Sequence, residues 1–364
     1  MTVDLYKVLR DFMAAPAVTG FEEQRRKRVI EAFSRYCDVV EVDVMGNVIG
    51  TMGKGDRVIM LAGHYDQLGF MVDYVDEKGF ASFTQVGGWD KRVAYGTRLK
   101  IWVGDGPGDY LVGSVAVKAA HLTDAKERDT CPELKDMLID FGAATKEEAE
   151  KMGVKPGTVC TPYLDVTYLG KEGSDLIMGP AFDDVCCVAA LIETMDILRK
   201  EPLKGVKVHF VATVQEEVGL RGATIAAYNL KPWAAIATDV THAVAPGVKP
   251  NQVAGVELGK GPVVALGANF TRALWEMMER EAEANGVPHQ RHGVPARSGT
   301  DAWAIQVERG GNICGLISMP NRYMHSPNEV ISLTDLSNLG KLMALTVKAL
   351  EKSDLKHTVE VYRK

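Results

Sequence analysis

Apolar and polar positions follow different spacings along the chain, and these spacings alone predict most of its elements. Near the N-terminus, EQRRKRVIEAFSRY carries apolar residues at helical intervals behind Thr19-Gly-Phe-Glu22, a pattern that predicts a helix opened by a capping box. VIMLAGHYD, beginning near Val58, reads as a strand. From residue 69 to about residue 165 the texture changes: short apolar segments such as RLKIWV and YLVGSVAV are separated by turn clusters such as GDGPGD, with one capped helix expected at Thr145-Lys-Glu-Glu148. This is the pattern of a small β-rich unit. Alternation then returns, with VCCVAALIETMDILRK as helix, VKVHFVATV and AAIATDVTH as strands, TRALWEMMEREAEANG as helix and DLSNLGKLMALTVKALEKS as a final helix. Such alternation predicts an α/β fold, a mixed sheet with helices on both faces. The expected organisation is one α/β domain, residues 1–69 and 166–364, interrupted by an inserted small β-rich domain at residues 70–165. No internal repeat or low-complexity segment is evident.

Composition narrows the function classes. With 364 residues the chain can bury a substantial core. Its net charge of -6 leaves no basic footprint for nucleic acid, so no nucleic-acid partner is expected. MTVDLYKVLRDFM is charged and amphipathic without the apolar centre of a secretion signal, and no uncharged run approaches a membrane span. A soluble, cytoplasmic protein without a membrane partner is expected. The six cysteines (Cys37, Cys131, Cys160, Cys186, Cys187 and Cys314) show no CxxC spacing, and the adjacent pair suits reduced thiols, which sets thiolate zinc fingers aside.

Candidate chemistry begins at FVATVQEEVGLRGA, where an apolar strand ends in two adjacent carboxylates, Glu216 and Glu217. Inside a strand they would face opposite ways, but where the chain bends into a loop both can turn towards one site, and open α/β sheets bind ligands at such strand ends. Four further stretches place polar groups after apolar strands or at helix starts: GHYDQLGF (His64, Asp66), GPAFDDVCC (Asp183, Asp184), ATDVTHA (Asp239) and YMHSPNEV (His325). Singly, each has a plain reading: a packed histidine, an aspartate pair capping a helix, a solvated start of a loop. Together they supply two imidazoles and several carboxylates, the donor mixture that suits zinc, cobalt or manganese in a hydrolytic site. A two-metal site needs a bridging carboxylate, terminal ligands on each ion and a base for the shared water. Asp183 could bridge, His64 and Asp239 could complete one ion and Glu217 and His325 the other, leaving Glu216 as base. Asp66, two residues after His64 on the same side of a strand, is expected to accept the other imidazole N–H.

At these residues the sequence resembles the dinuclear-metal aminopeptidases called tetrahedral (TET) or deblocking aminopeptidases, a family that includes glutamyl aminopeptidases and has relatives labelled endoglucanase or cellulase M. The resemblance runs from APAVTGFEE through GHYDQLGFMV to RYMHSPNEV, with all five motifs in the family's order. It implies peptide substrates and two divalent ions per subunit, zinc foremost, with cobalt or manganese as alternatives. It further implies Asp183 as the bridging ligand, joined to Asp184 by a cis peptide; His64, Glu217, Asp239 and His325 as terminal ligands; and Glu216 as general base. The inserted domain would mediate dimer contacts, and many members of the family assemble further into hollow dodecamers. The chain departs from the family in having Val185-Cys186-Cys187 where Arg-Ala-Gly is usual, and Gln67 where a glutamate is usual. Both departures bear on local packing and pocket charge. Cys186 and Cys187 are expected to pack against the sheet as small apolar residues. His242 reads either as a neighbour of the ligands or as a loop histidine, and SGTDA, residues 298–302, either as a substrate-holding loop or as a plain turn. His121, His209, His289, His292 and His357 receive no role.

Three functions compete. A metal-dependent exopeptidase uses every group in the constellation. A glycoside hydrolase would use a carboxylate pair, but adjacent carboxylates do not straddle a glycosidic bond, the histidines would have no purpose, and aromatics at 7% offer no evident sugar platform. An assembly or binding module with a vestigial site fits poorly with a complete ligand set.

Overall fold

The computed structural model describes residues 3–106 and 108–356, so that His357 lies outside the described residues. In chain order the strands are β1 (Val39–Val42), β2 (Val48–Met52), β3 (Arg57–His64), β4 (Gly69–Val75), β5 (Ala81–Val86), β6 (Arg98–Trp102), β7 (Tyr110–Val115), β8 (Leu138–Asp140), β9 (Val159–Pro162), β10 (Thr167–Tyr168), β11 (Leu176–Gly179), β12 (Val206–Thr213), β13 (Ala234–His242), β14 (Val263–Gly267), β15 (Gln290–Val294), β16 (Ile313–Asn321) and β17 (Glu329–Ser332). Eight of them form a mixed sheet in the order β1-β2-β12-β3-β13-β16-β14-β15, whose centre, β12-β3-β13-β16, is parallel.

Side-chain alternation sorts the central strands onto two cores. Ile59, Leu61, Val208 and Phe210 pack with the helices Leu5–Met13, Phe182–Lys200, Arg272–Ala284 and Leu333–Lys352 on one face. Met60, Ala62, Val211 and Ala237 pack on the other face against Arg221–Leu230 and Asp301–Val307. A period of two thus covers both faces of the sheet, as the α/β reading requires.

After β3 the chain leaves this sheet and builds a closed six-stranded barrel, β4-β5-β8-β7-β6-β9, around Phe70, Phe83, Leu99, Ile101 and Ile139. Closure removes the exposed edges that such short strands would otherwise present. Phe70 pairs with Cys160, so the chain enters and leaves the barrel side by side. A small antiparallel sheet, β10-β11-β17, follows. No helix among the described residues is long and apolar enough to cross a membrane.

The two expected helix caps come out differently. Thr145 Oγ1 accepts from the Glu148 amide at 3.2 Å, as the pattern predicts. The Thr19–Glu22 capping box does not form: Glu22 occupies the cap position in a helical conformation without a capping bond, and its Oε1 accepts from the Gly20 amide at 2.7 Å. Thr19 Oγ1 instead donates to Asp66 Oδ2 at 2.8 Å. A buried carboxylate needs donors more than a helix end with access to water does, so the tertiary partner takes the hydroxyl.

Candidate active site

The parallel centre of the sheet aims its strand ends at one place. His64 is the last residue of β3, and the register that sets Ala237 beside Ala62 brings Asp239, two residues further along β13, level with it. Gly63 lets the chain pass close beneath them, since a Cβ there would lie 3.1 Å from Asp184 Oδ2 and from the Thr238 methyl and would press both aside. Glu216 and Glu217 follow β12 through a reversal at Gln215 with φ of 56°. Asp183 and Asp184 open the helix Phe182–Lys200, are joined by a cis peptide and follow Ala181, also at φ 56°. His325 lies in the loop after β16 with φ of 60°. Left-handed backbone at non-glycine residues is uncommon and gathers at functional sites. Here it re-aims the chain at three corners of one cleft.

At the centre stands Asp183. Its Oδ1 lies 3.2 Å from His64 Nε2 and its Oδ2 lies 3.2 Å from His325 Nε2, so each carboxylate oxygen faces a different imidazole. Asp239 Oδ1 and Glu216 Oε2 lie 4.0 and 3.8 Å from His64 Nε2, and Glu217 Oε2 lies 3.8 Å from His325 Nε2. Burial works against ionising Asp183, but hydrogen bonds from His325 and His64 prevail and hold its carboxyl below the usual range. The remaining carboxylates have too little positive charge about them. Burial pushes Glu216 up to about 11, reinforced by Asp239, Asp301 and Glu217 despite the opposing His64, and it raises Glu217 and Asp239 as well. Glu217 Oε1 is buried with no hydrogen-bond partner. Converging, under-compensated carboxylates with two imidazoles are a donor set that fits divalent cations.

A second ring of groups holds these side chains. Asp66 lies beyond the end of β3 rather than on it, because the strand stops at His64. His64 Nδ1 is nearer the Asp66 main-chain oxygen, at 3.2 Å, than its carboxylate, at 3.5 Å. That carboxylate spans the glutamate turn, accepting from the Glu216 amide at 3.1 Å and the Glu217 amide at 3.4 Å in addition to Thr19. The reading of Asp66 as an orienting group for His64 is therefore widened to the glutamates. Asp184 Oδ2 accepts from the His64 amide at 3.1 Å. Cys186 and Cys187 are fully buried against the sheet, and Gln67 accepts from the buried guanidinium of Arg25, which also caps the main-chain oxygens of Phe12, Ala15 and Tyr65.

The structure gives places to residues that the sequence reading left open or without a role. Glu329, buried at the start of β17, accepts from the Asp183 amide at 2.9 Å and the His325 amide at 3.0 Å, and burial pushes its carboxyl up to about 8. It stood within YMHSPNEV, where an acid four residues after His325 was the available signal. Asp301, inside SGTDA, accepts from Thr213 Oγ1 at 2.5 Å behind the glutamate turn. A cleft of about 360 Å³ opens over the cluster, and His242, His292 and Ser298 line its far wall. Ser298 is fixed by its amide to Asn269 Oδ1 at 2.6 Å and its hydroxyl to Thr300 at 2.8 Å. Nothing in the sequence around His292 marks it, since only the pairing of β14 with β15 carries it to the cleft.

Comparison with known proteins shows the family. The sequence model of the M42 glutamyl aminopeptidase family matches residues 46–342. A putative aminopeptidase of Acetivibrio thermocellus is 36% identical over 345 residues, 93% of this chain and 97% of that protein. The lysyl aminopeptidase of Pyrococcus furiosus is 31% identical over 351 residues, 96% and 98% of the two chains. The solved TET1 peptidase of Pyrococcus horikoshii, described as assembling into a tetrahedron or a large octahedral shell, superposes with a TM-score of 0.82 at 31% identity, over 94% of this chain and 98% of that one. With a family match spanning most of its length and relatives alike from end to end, this chain belongs to the M42 glutamyl aminopeptidase family and is an aminopeptidase.

Proposed function

We propose that this aminopeptidase removes N-terminal residues from peptides by a two-metal route in which Asp183 is shared between the ions. The observation that carries the reading is the double role of Asp183, each of whose oxygens stands 3.2 Å from a different imidazole. His64 and Asp239 would hold one ion and Glu217 and His325 the other, and the oxygen and nitrogen donors suit zinc, with cobalt or manganese as alternatives. Bound there, the ions would supply Lewis acidity to the scissile carbonyl and to an attacking water. Glu216, left without a ligand role, takes the proton from that water and delivers it to the leaving amine. Asp66 and Glu329 keep the acceptors in place through the amides of Glu216, Glu217, Asp183 and His325.

The barrel at residues 69–162 is the proposed seat of a subunit contact, in a homo-oligomer built from dimers and extending to a dodecamer; support comes from the shell-forming relative. The six free thiols support a cytoplasmic location. A glycosidase reading fits less well. The donor atoms of His64, Glu216 and Asp239 all lie within 4.8 Å of one another, and an imidazole gathered among the acids has no part in a glycosidase's pair of carboxyl groups. Free amino acid released from a short peptide, measured beside reducing sugar released from a soluble glucan, tests the proposal. Sugar release without amino-acid release would overturn it.

A further inference from the structure

In an exopeptidase the free amine and the scissile carbonyl both sit against the acid and imidazole cluster, so the first side chain of the substrate is left with the remaining wall of the cleft. That wall begins at Asp239 and runs along β13 through Val240, Thr241 and His242 to the β14–β15 pair, where Ala265 stands opposite His292 in register. Leu316 and Met324 add apolar surface. Beyond the ligand cluster itself, none of the described residues lining the cleft is an aspartate, glutamate, lysine or arginine.

The titratable groups on this wall are two imidazoles, His242 and His292, beside uncharged hydroxyls such as that of Thr241. Thr241 Oγ1 lies 3.5 Å from His292 Nδ1. Burial lowers the proton affinity of both rings. A neutral imidazole offers one donor and one acceptor, enough for an amide or hydroxyl and no counter-charge for an ion. An ammonium, guanidinium or carboxylate placed here would give up its water for no opposite charge, which is unfavourable, whereas an aliphatic or thioether chain meets Val240, Leu316 and Met324.

Building on the aminopeptidase reading above, we propose that this wall selects uncharged N-terminal residues of about the size of Leu, Met or Gln, with His242 and His292 as its specificity-determining side chains. The family description says glutamyl and a relative is called lysyl, preferences that ask for a charge on the wall which the cleft of this chain lacks.

The experiment compares kcat/KM for Leu, Met, Gln, Lys, Arg and Glu anilides with the zinc- or cobalt-loaded protein at neutral pH. In parallel, calorimetry measures the binding of free leucine, lysine and glutamate to the loaded Glu216→Gln protein, where turnover plays no part. Leu, Met and Gln should exceed Lys and Glu by at least about tenfold in both readouts. His292→Asp should raise the Lys to Leu ratio and His292→Lys the Glu to Leu ratio by a similar factor. Lys or Glu leading in the parent protein, or ratios unmoved by either substitution, would overturn the preference while leaving the aminopeptidase mechanism standing. Failure to hydrolyse any member of the panel would overturn the proposed mechanism and the preference with it.

Discussion

Glu216 and Glu217 share one backbone turn and the same clamp on their amides, yet their carboxylates face different imidazoles. The two should therefore fail differently when changed to glutamine. In Glu217→Gln a charged donor becomes a neutral amide, so metal occupancy should fall and activity should return in part at high metal concentration. In Glu216→Gln the donors remain while the proton acceptor is lost, so kcat should fall by roughly 10²–10⁴-fold and added metal should not help. Elemental analysis and kcat across a metal titration separate these outcomes, and parental behaviour in both variants would reduce the pair to a solvated loop. Glu22 offers a test away from the chemistry. Burial pushes its carboxyl up to about 7, with the Gly20 amide opposing and Asp66 reinforcing. The folded state therefore binds the proton more tightly than the unfolded one. Stability from this group is complete below the unfolded value near 4.5 and is lost as pH rises towards 7. Glu22→Gln keeps an acceptor for the Gly20 amide without a titratable charge. It should gain in Tm over the parent at pH 8 but not at pH 4, the difference corresponding to about 3 kcal/mol at most. An equal offset at both pH values would show that Glu22 is not held protonated.

At the scale of elements, the glutamate turn is placed by what flanks it. Asn47 accepts from the Val214 amide at 3.1 Å and donates to the Gly222 oxygen at 3.0 Å, tying the end of β12 to the start of the helix Arg221–Leu230. Gly222 has no room for a side chain: a Cβ would fall 2.4 Å from both Asn47 Oδ1 and the Val214 oxygen. Gly222→Ala must displace that helix or the turn before it, at a cost of about 1–3 kcal/mol. Lower Tm should be accompanied by lower kcat, because the residues that move carry Glu216. A loss of stability with unchanged kcat would mean that the turn is positioned by Asp66 alone.

For the whole molecule, the barrel and the acid and imidazole cluster should prove separable. The chain enters and leaves the barrel on paired strands, so a short linker can replace residues 69–162 without stretching the sheet. Light scattering on that deletion should give a lower oligomeric state than the parent, and an unchanged assembly would place the subunit contact elsewhere. In the intact protein, chelation should abolish activity and a divalent metal should restore it, since the buried carboxylates need cations to stay charged. Full activity after metal removal verified by elemental analysis would exclude the mechanism.

The sequence by itself determined what depends on local spacing. The apolar runs VIMLAGH and VKVHFVAT marked strands, the change of texture at residue 69 marked a β-rich segment, and the five motifs named acids and imidazoles that meet over the sheet. These features were readable because periodicity and residue chemistry are properties of adjacent positions. Only the tertiary structure decided which partner each polar group took. Thr19 could cap its own helix or serve Asp66, and burial of that carboxylate settled it. Glu329 became a brace for Asp183 and His325 because β17 pairs with β11 beside the aspartate pair. His292 reached the cleft because β15 adds to β14 at the sheet edge. Such choices depend on registers between segments far apart in the chain, and a buried polar group takes whichever partner the fold leaves within reach.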